Sequence, residues 1–374
     1  MTKKQKKYIV SFMGITQKDI ARDLGISFIT VNRVFNNSGY VSAKLKNRIL
    51  NYAKKKNYIP HRASQIMVRN KVRTITLFTS AGPPFFWREI EKGVMMAAEY
   101  LRSLNYIVRF IRVPSNDSQK YCGLLKSELK KGLDAAAFVY QRIFDMDKII
   151  GIAENAGIPF FMYNIDDPKK RGLGYVGPDN NEGGRLAANF IGQIMGSRSG
   201  PEVLIINEKK FSGKQNIIPE PNTQRLEGFL SVIKEQYPQV HCSICYIEDN
   251  DTLERQLQGI LNPRKKKKDA IYMISPRLTQ FHQALRRTGR RQSIILQHDI
   301  DDEAVDCLEN NIISAAIYQD PILQGYSVVR TLEKALEAKT VMPRQEIKIS
   351  HSLIFKENID FLKNHYFLGE VNDK

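Results

Sequence analysis

The sequence predicts an all-α helix-turn-helix headpiece followed by a two-lobed α/β body with parallel sheets. Three observations lead to this fold class. The chain has 374 residues, which is too many for one ordinary core. Its net charge of +18 is concentrated at the start, since residues 1–73 carry +15 and the other 301 residues share +3. Short helical patterns fill the first part, whereas apolar runs alternate with helices from Thr74 onward.

Helix signals in the first sixty residues are short and closely spaced. Gly25 stands where a helix must stop in a left-handed conformation, between two segments with helical periodicity. Two short helices joined by a Gly-containing turn, with a third helix in support, are typical of a helix-turn-helix unit. The predicted helices are Gln17–Leu24, Phe28–Asn36 and Ala43–Lys56, with N-caps Thr16, Ser27 and Ser42.

The outward face of the second helix carries side chains suited to the base edges of DNA. Arg33 can pair bidentately with guanine, and Asn32 can pair with adenine or phosphate. Phe28 and Ile29 can contact thymine methyl groups. A small helical bundle with a solvated basic face is the alternative, but the charge, turn and caps together favour a DNA reader.

The body is predicted from nine apolar runs separated by helical stretches, the pattern of parallel α/β units. Some 280 residues of such units favour two lobes with a cleft between them. The expected strands are Thr74–Thr79, Tyr106–Val113, Ala135–Tyr140, Pro159–Asn164, Glu202–Asn207, Val240–Ile247, Ala270–Ser275, Ile294–His298 and Ser314–Gln319.

A ligand site is expected beyond the carboxyl ends of these strands. Aromatic rings beside amides and carboxylates are typical of a sugar site, because rings stack on pyranose faces while polar groups bind hydroxyls. A buried loop staple is the alternative for Pro83–Trp87. The residues that the rule selects are Phe85, Phe86, Trp87, Asn164, Asp166, Ser275, Asp299 and Gln319.

The headpiece resembles that of the LacI/GalR family of bacterial repressors over Ile15–Asn36, Val41–Ser42, Tyr58–Pro60 and Arg62–Met67. The resemblance implies a hinge after Pro60 that becomes helical on the operator. It also implies that Met67, at the position of a family leucine, enters the minor groove. Asn32 departs from the usual serine, so the half-site preference is not carried over. The expected DNA contacts are Thr16, Gln17, Ser27, Phe28, Ile29, Asn32, Arg33, Asn36, Ser42, Tyr58, His61, Ser64 and Met67.

The body resembles the type I periplasmic sugar-binding fold that this family uses as a sensor. The motifs are Pro84–Phe86, Gly177–Arg185, Arg225–Phe229 and Gln319–Pro321. The resemblance implies that Phe85 and Phe86 stack on a sugar, that Arg225, Asp299 and Gln319 bind its hydroxyls, and that Ser275 replaces a common asparagine. Asn164-Ile165 stands in place of the family's Asp-Arg pair, and Pro83 in place of asparagine, so a ribose-type ligand does not follow. Asp179 and Asn180 either contact the ligand or cap the next helix.

The resemblance implies a transcription regulator, and a repressor in particular. It would bind a palindromic double-stranded operator as a homodimer, under the control of a sugar-like effector in the interlobe cleft. The helix Trp87–Leu104, through Val94, Ala97, Ala98 and Leu101, is expected to supply the dimer surface together with the first part of the second lobe. The expected segments are a tail 1–14, headpiece 15–60, hinge 61–73, body 74–355 and tail 356–374. The first lobe is expected to take 74–175 plus 300–325, and the second 180–298 plus 326–355.

Other classes of protein find little support in the sequence. It contains no uninterrupted apolar run of 18 residues, so no membrane span is predicted. We find no nucleophile–base pair, complete phosphate loop or metal-ligand set, and therefore expect no catalytic residues, metal or cofactor. Cys242-Ser-Ile-Cys245 has redox or half-zinc spacing but lies in a predicted strand. We expect a cytoplasmic, nucleoid-associated regulator, with a solute-binding receptor that has no DNA role as the alternative.

Overall fold

The computed structural model describes residues 17–36, 40–56, 72–79, 84–113, 117–196, 198–208, 210–212, 215–217, 220–247, 268–274, 278–288, 293–338, 340, 342–360 and 362. The chain separates into two compact units: one consists of Met1–Val72, which contains the headpiece, with Arg102–Asn105, and the other, the body, consists of Arg73–Leu101 and Tyr106–Lys374.

The headpiece consists of α1 (Gln17–Leu24), α2 (Phe28–Asn36) and α3 (Ala43–Lys55). Gly25 has a φ of 63°, and Ile26 N–H donates to the Ala21 carbonyl at 3.0 Å, which closes the C-terminus of α1. Ser27 Oγ accepts from Thr30 N–H at 3.1 Å and so caps α2, as the sequence predicts. The core of the unit is formed by Ile20, Ala21, Val31, Val34, Ile49 and Ala53.

The elements of the body follow in chain order. They are β1 (Arg73–Thr79), α4 (Pro84–Arg102), β2 (Tyr106–Arg112), α5 (Ser118–Lys130), β3 (Leu133–Phe138), α6 (Met146–Asn155), β4 (Phe160–Tyr163), β5 (Gly174–Pro178), α7 (Asn180–Met195), β6 (Glu202–Glu208), β7 (Lys210–Ser212), β8 (Gln215–Ile217), α8 (Glu220–Gln236), β9 (His241–Ile247), β10 (Ala270–Met273), α9 (Leu278–Thr288), β11 (Ile294–His298), α10 (Asp302–Glu309), β12 (Ala315–Tyr318), α11 (Pro321–Glu337), β13 (Gln345–Ile349), β14 (Ser352–Ile354) and the 3₁₀ helix Lys356–Asn358.

Two six-stranded sheets form the two lobes of the body. The first sheet has the order β13-β5-β4-β3-β1-β2, and each adjacent pair in it is parallel. The second has the order β14-β12-β11-β10-β6-β9, with only β14 antiparallel to its neighbour. The two-lobed α/β architecture predicted from the sequence is therefore the one observed.

Alternate residues of the second sheet enter two separate cores. Ile205 and Tyr272 pack with Phe229 of α8 on one face, whereas Ile206 and Met273 pack with α9 and α10 on the other. Both faces are covered by helices, which explains why these strands are continuous apolar runs in the sequence.

The predicted assignment of two segments to the lobes was wrong. Residues 302–318 belong to the second lobe, because β12 pairs with β11 and β14 there. Residues 326–349 belong to the first lobe, because α11 packs on β1, β3, β4 and β5 and because β13 pairs with β5. The chain therefore crosses between lobes after β5, after β12 and after β13. Strand pairing decides to which lobe a segment belongs, and this pairing cannot be read from the order of elements along the chain.

The C-terminal limit of the body was also placed too early. Ile359 is buried in the second-lobe core, so residues beyond 355 pack as part of this lobe rather than forming a tail from 356 onward. The strands β5, β7, β8, β13 and β14 were not predicted. Gly174-Tyr-Val-Gly-Pro178 mixes glycine and proline into a buried strand, and Gln345–Ile349 alternates polar and apolar residues at the edge of the sheet.

The residues predicted to form the dimer surface on α4 were wrong. Val94, Ala97 and Leu101 are buried within the lobe itself, whereas Met95 and Met96 on the same helix are exposed. Cys242 and Cys245 pack into the cores on opposite faces of the second sheet, which separates them as a redox or metal pair. No helix among the described residues is long and apolar enough to cross a membrane.

Candidate functional site

The exposed face of α2 is the candidate DNA-reading surface. Val31 and Val34 point into the headpiece core, and this fixes the opposite face outward. On that face Phe28 is 44% exposed, Ile29 is 62% exposed and Arg33 is exposed. Two apolar side chains beside a guanidinium on one exposed helix face are the groups used in contacts with thymine methyls and guanine in the major groove.

Two of the expected DNA contacts are linked to each other. Asn32 Nδ2 donates to Gln17 Oε1 at 3.1 Å, which joins the outward face of α2 to the start of α1. Ser27 Oγ is engaged with Thr30, both with its backbone N–H and with its hydroxyl at 2.8 Å. Ser42 stands at the N-cap position of α3, but its exposed hydroxyl makes no capping hydrogen bond. The Ser42 hydroxyl is therefore open to a phosphate.

Some expected contacts lie outside the described residues. They are Thr16, Tyr58, His61, Ser64, Met67 and, in the body, Ser275. Asn36 is the last residue of α2, but its side chain is not described.

A small, partly open pocket of about 10 Å³, room for about one water molecule, lies in the interlobe cleft. It brings together Phe85 and Phe86 from the start of α4 with Asp299 from the end of β11, and these three residues belong to the set expected from the sequence. Its lining residues are Phe85, Phe86, Glu89, Asp299, Ile300, Tyr318 and Pro321. Phenylalanine rings can stack on the apolar face of a sugar while the Asp299 carboxylate accepts hydrogen bonds from its hydroxyls, so this combination of groups suits a polyol ligand.

A chain of polar contacts crosses the cleft between the lobes. Asn164 Nδ2 donates to Gln324 Oε1 at 3.1 Å, and Gln324 Nε2 donates to the Gln319 carbonyl at 2.8 Å. Gln319 Nε2 in turn donates to Asp299 Oδ1. Asp299 Oδ2 lies 3.8 Å from Arg225 Nη1. Four residues selected from the sequence are thus brought together with Gln324, and all five are buried.

Left-handed backbone conformations aim several of these side chains. Asn164, Asp299 and Asp320 have φ values of 59°, 66° and 49°. Asn and Asp tolerate this conformation better than other non-glycine residues, which explains their presence where a strand ends and the chain must turn sharply. Asp320 also caps α11 by accepting from Leu323 N–H at 2.8 Å.

Other candidates take structural positions in the body. Trp87 is buried and packs edge-on against Tyr163, with ring centroids 6.3 Å apart. Asp179 caps α7 by accepting from Glu182 N–H at 3.2 Å, and Lys348 Nζ donates to its other oxygen at 2.7 Å.

Asp166 is held by ion pairs within the first lobe. Arg344 Nη2 donates to it at 2.9 Å, and Lys170 Nζ donates at 2.7 Å. These two cations satisfy its carboxylate and leave it little capacity for a ligand.

Residues missed from the sequence carry recognisable signals. Glu89 follows Phe85 by one helical turn, and an i, i+4 spacing on α4 places both on the cavity face. Asn207 and Glu208 end β6, where the strand-end rule would have selected them. Asn207 Oδ1 accepts from Asn222 Nδ2 at 3.1 Å and from Glu208 N–H at 2.8 Å.

Two histidines beside this network are held neutral. Burial and the charge of Arg225 keep the pKa of His298 well below its ordinary value. Burial, with a smaller contribution from Arg225, lowers the pKa of His351 to about 4. His298 ends β11, and His351 lies in the third crossing between the lobes.

Comparisons with known proteins agree with both parts of the chain. The family described as "Bacterial regulatory proteins, lacI family" matches residues 16–61, and the "Periplasmic binding protein domain" family matches residues 75–340. The HTH-type transcriptional repressor PurR of Vibrio atlanticus is 24% identical over 323 residues, which cover 77% of this chain and 92% of the repressor.

Two solved structures share the fold of the body. A sugar-binding protein of a sugar ABC transporter from Bacillus halodurans is 19% identical, with a TM-score of 0.65 over 77% of this chain and 99% of its own. GanP, a glucose-galactose binding protein from Geobacillus stearothermophilus, is 20% identical, with a TM-score of 0.62 over 78% of this chain and 99% of its own. At these identities the likeness concerns the fold.

Proposed function

We propose, from the premise that this chain belongs to the LacI family of bacterial regulatory proteins, that it is a repressor which binds a palindromic operator as a dimer. A sugar-like effector in the interlobe cleft sets its affinity for DNA. The observation that carries the proposal is the helix α2, which buries Val31 and Val34 and presents Phe28, Ile29 and Arg33 outward.

Recognition of DNA by α2 follows from the chemistry of that face. Arg33 can donate two hydrogen bonds to guanine, while Phe28 and Ile29 lose their exposure against thymine methyl groups. The +15 charge of residues 1–73 supplies phosphate attraction that is independent of base sequence. Charge thus brings the headpiece to DNA, and the α2 face selects the site.

Effector control follows from the contacts that cross the cleft. Asn164 and Gln324 belong to the first lobe and Asp299 to the second, so a ligand that binds Asp299 and Phe85 contacts both lobes at once. Such a ligand favours one relative position of the lobes in proportion to its differential affinity for the two positions. The similar PurR of Vibrio atlanticus is a transcriptional repressor, and this similarity supports repression as the output.

Dimerisation is proposed through the outer face of α4. Met95, Met96 and Tyr100 form an exposed apolar strip along this helix. The Arg330 guanidinium lies 4.0 Å from the centre of the Tyr100 ring and extends the strip onto α11. A palindromic operator requires two headpieces related by a twofold axis, which a second copy on this strip would supply.

A test of DNA recognition compares Arg33→Ala with Arg22→Ala. A duplex selected from genomic fragments by the full-length protein serves as the operator, and a scrambled duplex of equal length serves as the random DNA. Arg33→Ala should weaken operator binding about 10- to 100-fold and random binding much less. Arg22 pairs with Asp19 and Asp23 on α1, so its variant should weaken both alike and only slightly. Equal losses on the two duplexes for Arg33→Ala would refute base recognition by α2.

A test of the sensor measures the melting temperature of the full chain with a panel of monosaccharides at millimolar concentration. A binding sugar should raise it, and Phe85→Ala should abolish the rise while leaving DNA binding intact. No rise with any sugar would count against the sensor assignment. The alternative, a solute receptor without a DNA role, is less well supported because the sugar-binding relatives match the body, whereas residues 16–61 match regulators. We propose a cytoplasmic location on the same ground.

A further inference from the structure

A hydrogen bond between two side-chain amides joins the first two helices of the headpiece. Asn32 Nδ2, on the outward side of α2, donates to Gln17 Oε1, at the start of α1, at 3.1 Å. Both residues are partly exposed, so the pair lies at the surface of the unit and not in its core. The bond is therefore placed where the headpiece can meet a partner, beside the other side chains of α2 that face outward.

Asn32 occupies the middle of the candidate DNA-reading surface. Phe28 and Ile29 precede it by four and three residues, and these spacings place side chains on one side of a helix. Arg33 follows it directly and is exposed, whereas Val31, its neighbour on the other side, is buried in the headpiece core. The packing of α2 thus directs Asn32 toward the same groove that Arg33 would enter.

Gln17 is held at an equally defined position. It is the first residue of α1, and Ile20 and Ala21, about one turn later, are buried in the headpiece core. Val31, next to Asn32, belongs to the same core. The two backbones that carry the amides are therefore fixed relative to each other, and the bond between the side chains spans a set distance.

The bond to Gln17 sets the direction of the Asn32 amide. A half-turn about the last side-chain bond of asparagine exchanges its oxygen and nitrogen, and both orientations are ordinarily accessible. Reversing Asn32 alone would set its oxygen against Gln17 Oε1, which removes the bond. A side-chain amide has two N–H groups and one oxygen, so one N–H on Gln17 is compatible with a bidentate pair through the other N–H and the oxygen.

An amide with a fixed order of donor and acceptor discriminates between the two purines. Adenine presents the N6 amino donor and the N7 acceptor in the major groove, and these match the oxygen and the N–H of asparagine. Guanine presents two acceptors, O6 and N7, so a fixed amide oxygen would face O6 with no proton between them. A phosphate needs only a donor and does not depend on this order. Fixing the Asn32 amide therefore favours adenine over phosphate as its partner.

We propose that Gln17 is a positioning residue that orients Asn32 to read an adenine, so that each half-site contains an A·T pair separate from the base pair read by Arg33. This inference rests on the proposed DNA recognition by α2 and names one further base of its site. Asn32 contacts the base, and Gln17 acts through Asn32. Loss of Gln17 should therefore change base preference and leave the attraction to phosphates almost intact.

The test uses the full-length protein and duplexes in which each base pair of the selected operator half-site is replaced in turn by each of the other three. At one position wild type should prefer A·T about 10-fold or more, and Asn32→Ala and Gln17→Leu should both lose most of this preference. Gln17→Glu keeps an oxygen for Asn32, so it should keep the preference while its charge weakens binding to every duplex. The control Lys18→Ala, exposed on α1, should keep every base preference.

The outcomes separate the inference from the function on which it rests. If wild type shows no base preference at any position, DNA recognition by α2 fails and the inference fails with it. If Arg33→Ala changes the preference at one position and Asn32→Ala at none, recognition by α2 stands and the inference is refuted. An equal loss on every duplex for Gln17→Leu would show only a strut between helices, and a preference lost in Gln17→Glu would contradict the observed direction of the bond; each refutes the inference. Loss in Gln17→Leu and retention in Gln17→Glu, at the position that Asn32→Ala identifies, support it.

Discussion

Replacing His351 by phenylalanine should make the stability of the body less sensitive to acid. The His351 pKa is about 4 in the folded chain, against 6.5 for an ordinary histidine, because burial and the charge of Arg225 disfavour the imidazolium. As the pH falls below 6.5, the His351 imidazole becomes protonated in the unfolded chain but stays neutral in the folded chain. The stability contributed by the neutral ring is therefore complete above pH 6.5 and is lost as the pH falls toward 4.

The size of the effect follows from the two pKa values. Between pH 7.5 and pH 5 the His351 contribution amounts to about 2 kcal/mol, and it rises to about 3 kcal/mol near pH 4. Phenylalanine keeps an aromatic ring against His298 but does not titrate. Relative to wild type, His351→Phe should therefore gain about 2 kcal/mol of unfolding free energy on going from pH 7.5 to pH 5.

The assay is urea unfolding at both pH values, followed by the fluorescence of Trp87. This residue is the only tryptophan in the chain and is buried in the first lobe, so the signal reports on the body. The exposed His241, changed to phenylalanine, is the matched control and should track wild type at both pH values. An unchanged free-energy difference between wild type and His351→Phe at the two pH values would refute the reasoning.

Three further substitutions test packing, assembly and the headpiece. Gly184→Ala should cost roughly 3 kcal/mol by forcing α7 away from α8. As a control, Gly123→Ala on α5 should raise the unfolding free energy by up to about 1 kcal/mol, because open space surrounds that position. Equal changes in unfolding free energy for the two variants in the urea assay would contradict the close packing of Gly184 against α8. Met96→Glu should convert the proposed dimer to a monomer, as measured by light scattering, because it places a charge on the α4 strip. The control Ile244→Glu, at an exposed position on β9, should leave the protein dimeric. A Met96→Glu variant that remains dimeric would exclude the α4 strip as the dimer interface. Tyr52→Phe loses an exposed 2.9 Å hydrogen bond to Asp23 of α1 and should leave the melting temperature of the headpiece in circular dichroism almost unchanged; a clear fall would contradict a peripheral role for this contact.

The headpiece could be predicted almost entirely from local sequence. Gly25 and Ser27 set the end of α1 and the start of α2 through contacts within a few residues, and the periodic Val31 and Val34 fix which face of α2 is inward. The third helix ends one residue earlier than predicted, at Lys55. When the residues that set a helix end lie within one helical turn of it, the local sequence is sufficient to predict that end.

The cleft could be predicted only in part. The strand-end rule selected Asp299 and Phe85, which both line the pocket, because the rule depends on strand boundaries that apolar runs reveal. The rule did not select Gln324, which contacts Asn164 from 160 positions away along the chain. The pairing of β13 with β5, which returns the chain to the first lobe, was not predicted either. These contacts join segments that are distant in the chain, so no local pattern encodes them.

The sequence by itself therefore determined a basic helix-turn-helix reader joined to a two-lobed α/β body, since charge, caps and apolar periodicity are local properties. Only the tertiary structure decided which segments form each lobe and that Val94, Ala97 and Leu101 face the core while Met95 and Met96 face outward. It also decided that Arg225, Tyr272, His298 and His351 lie together. The physical reason is that burial, pKa and donor–acceptor balance depend on which elements pack against each other, and strand pairing over long separations sets that packing.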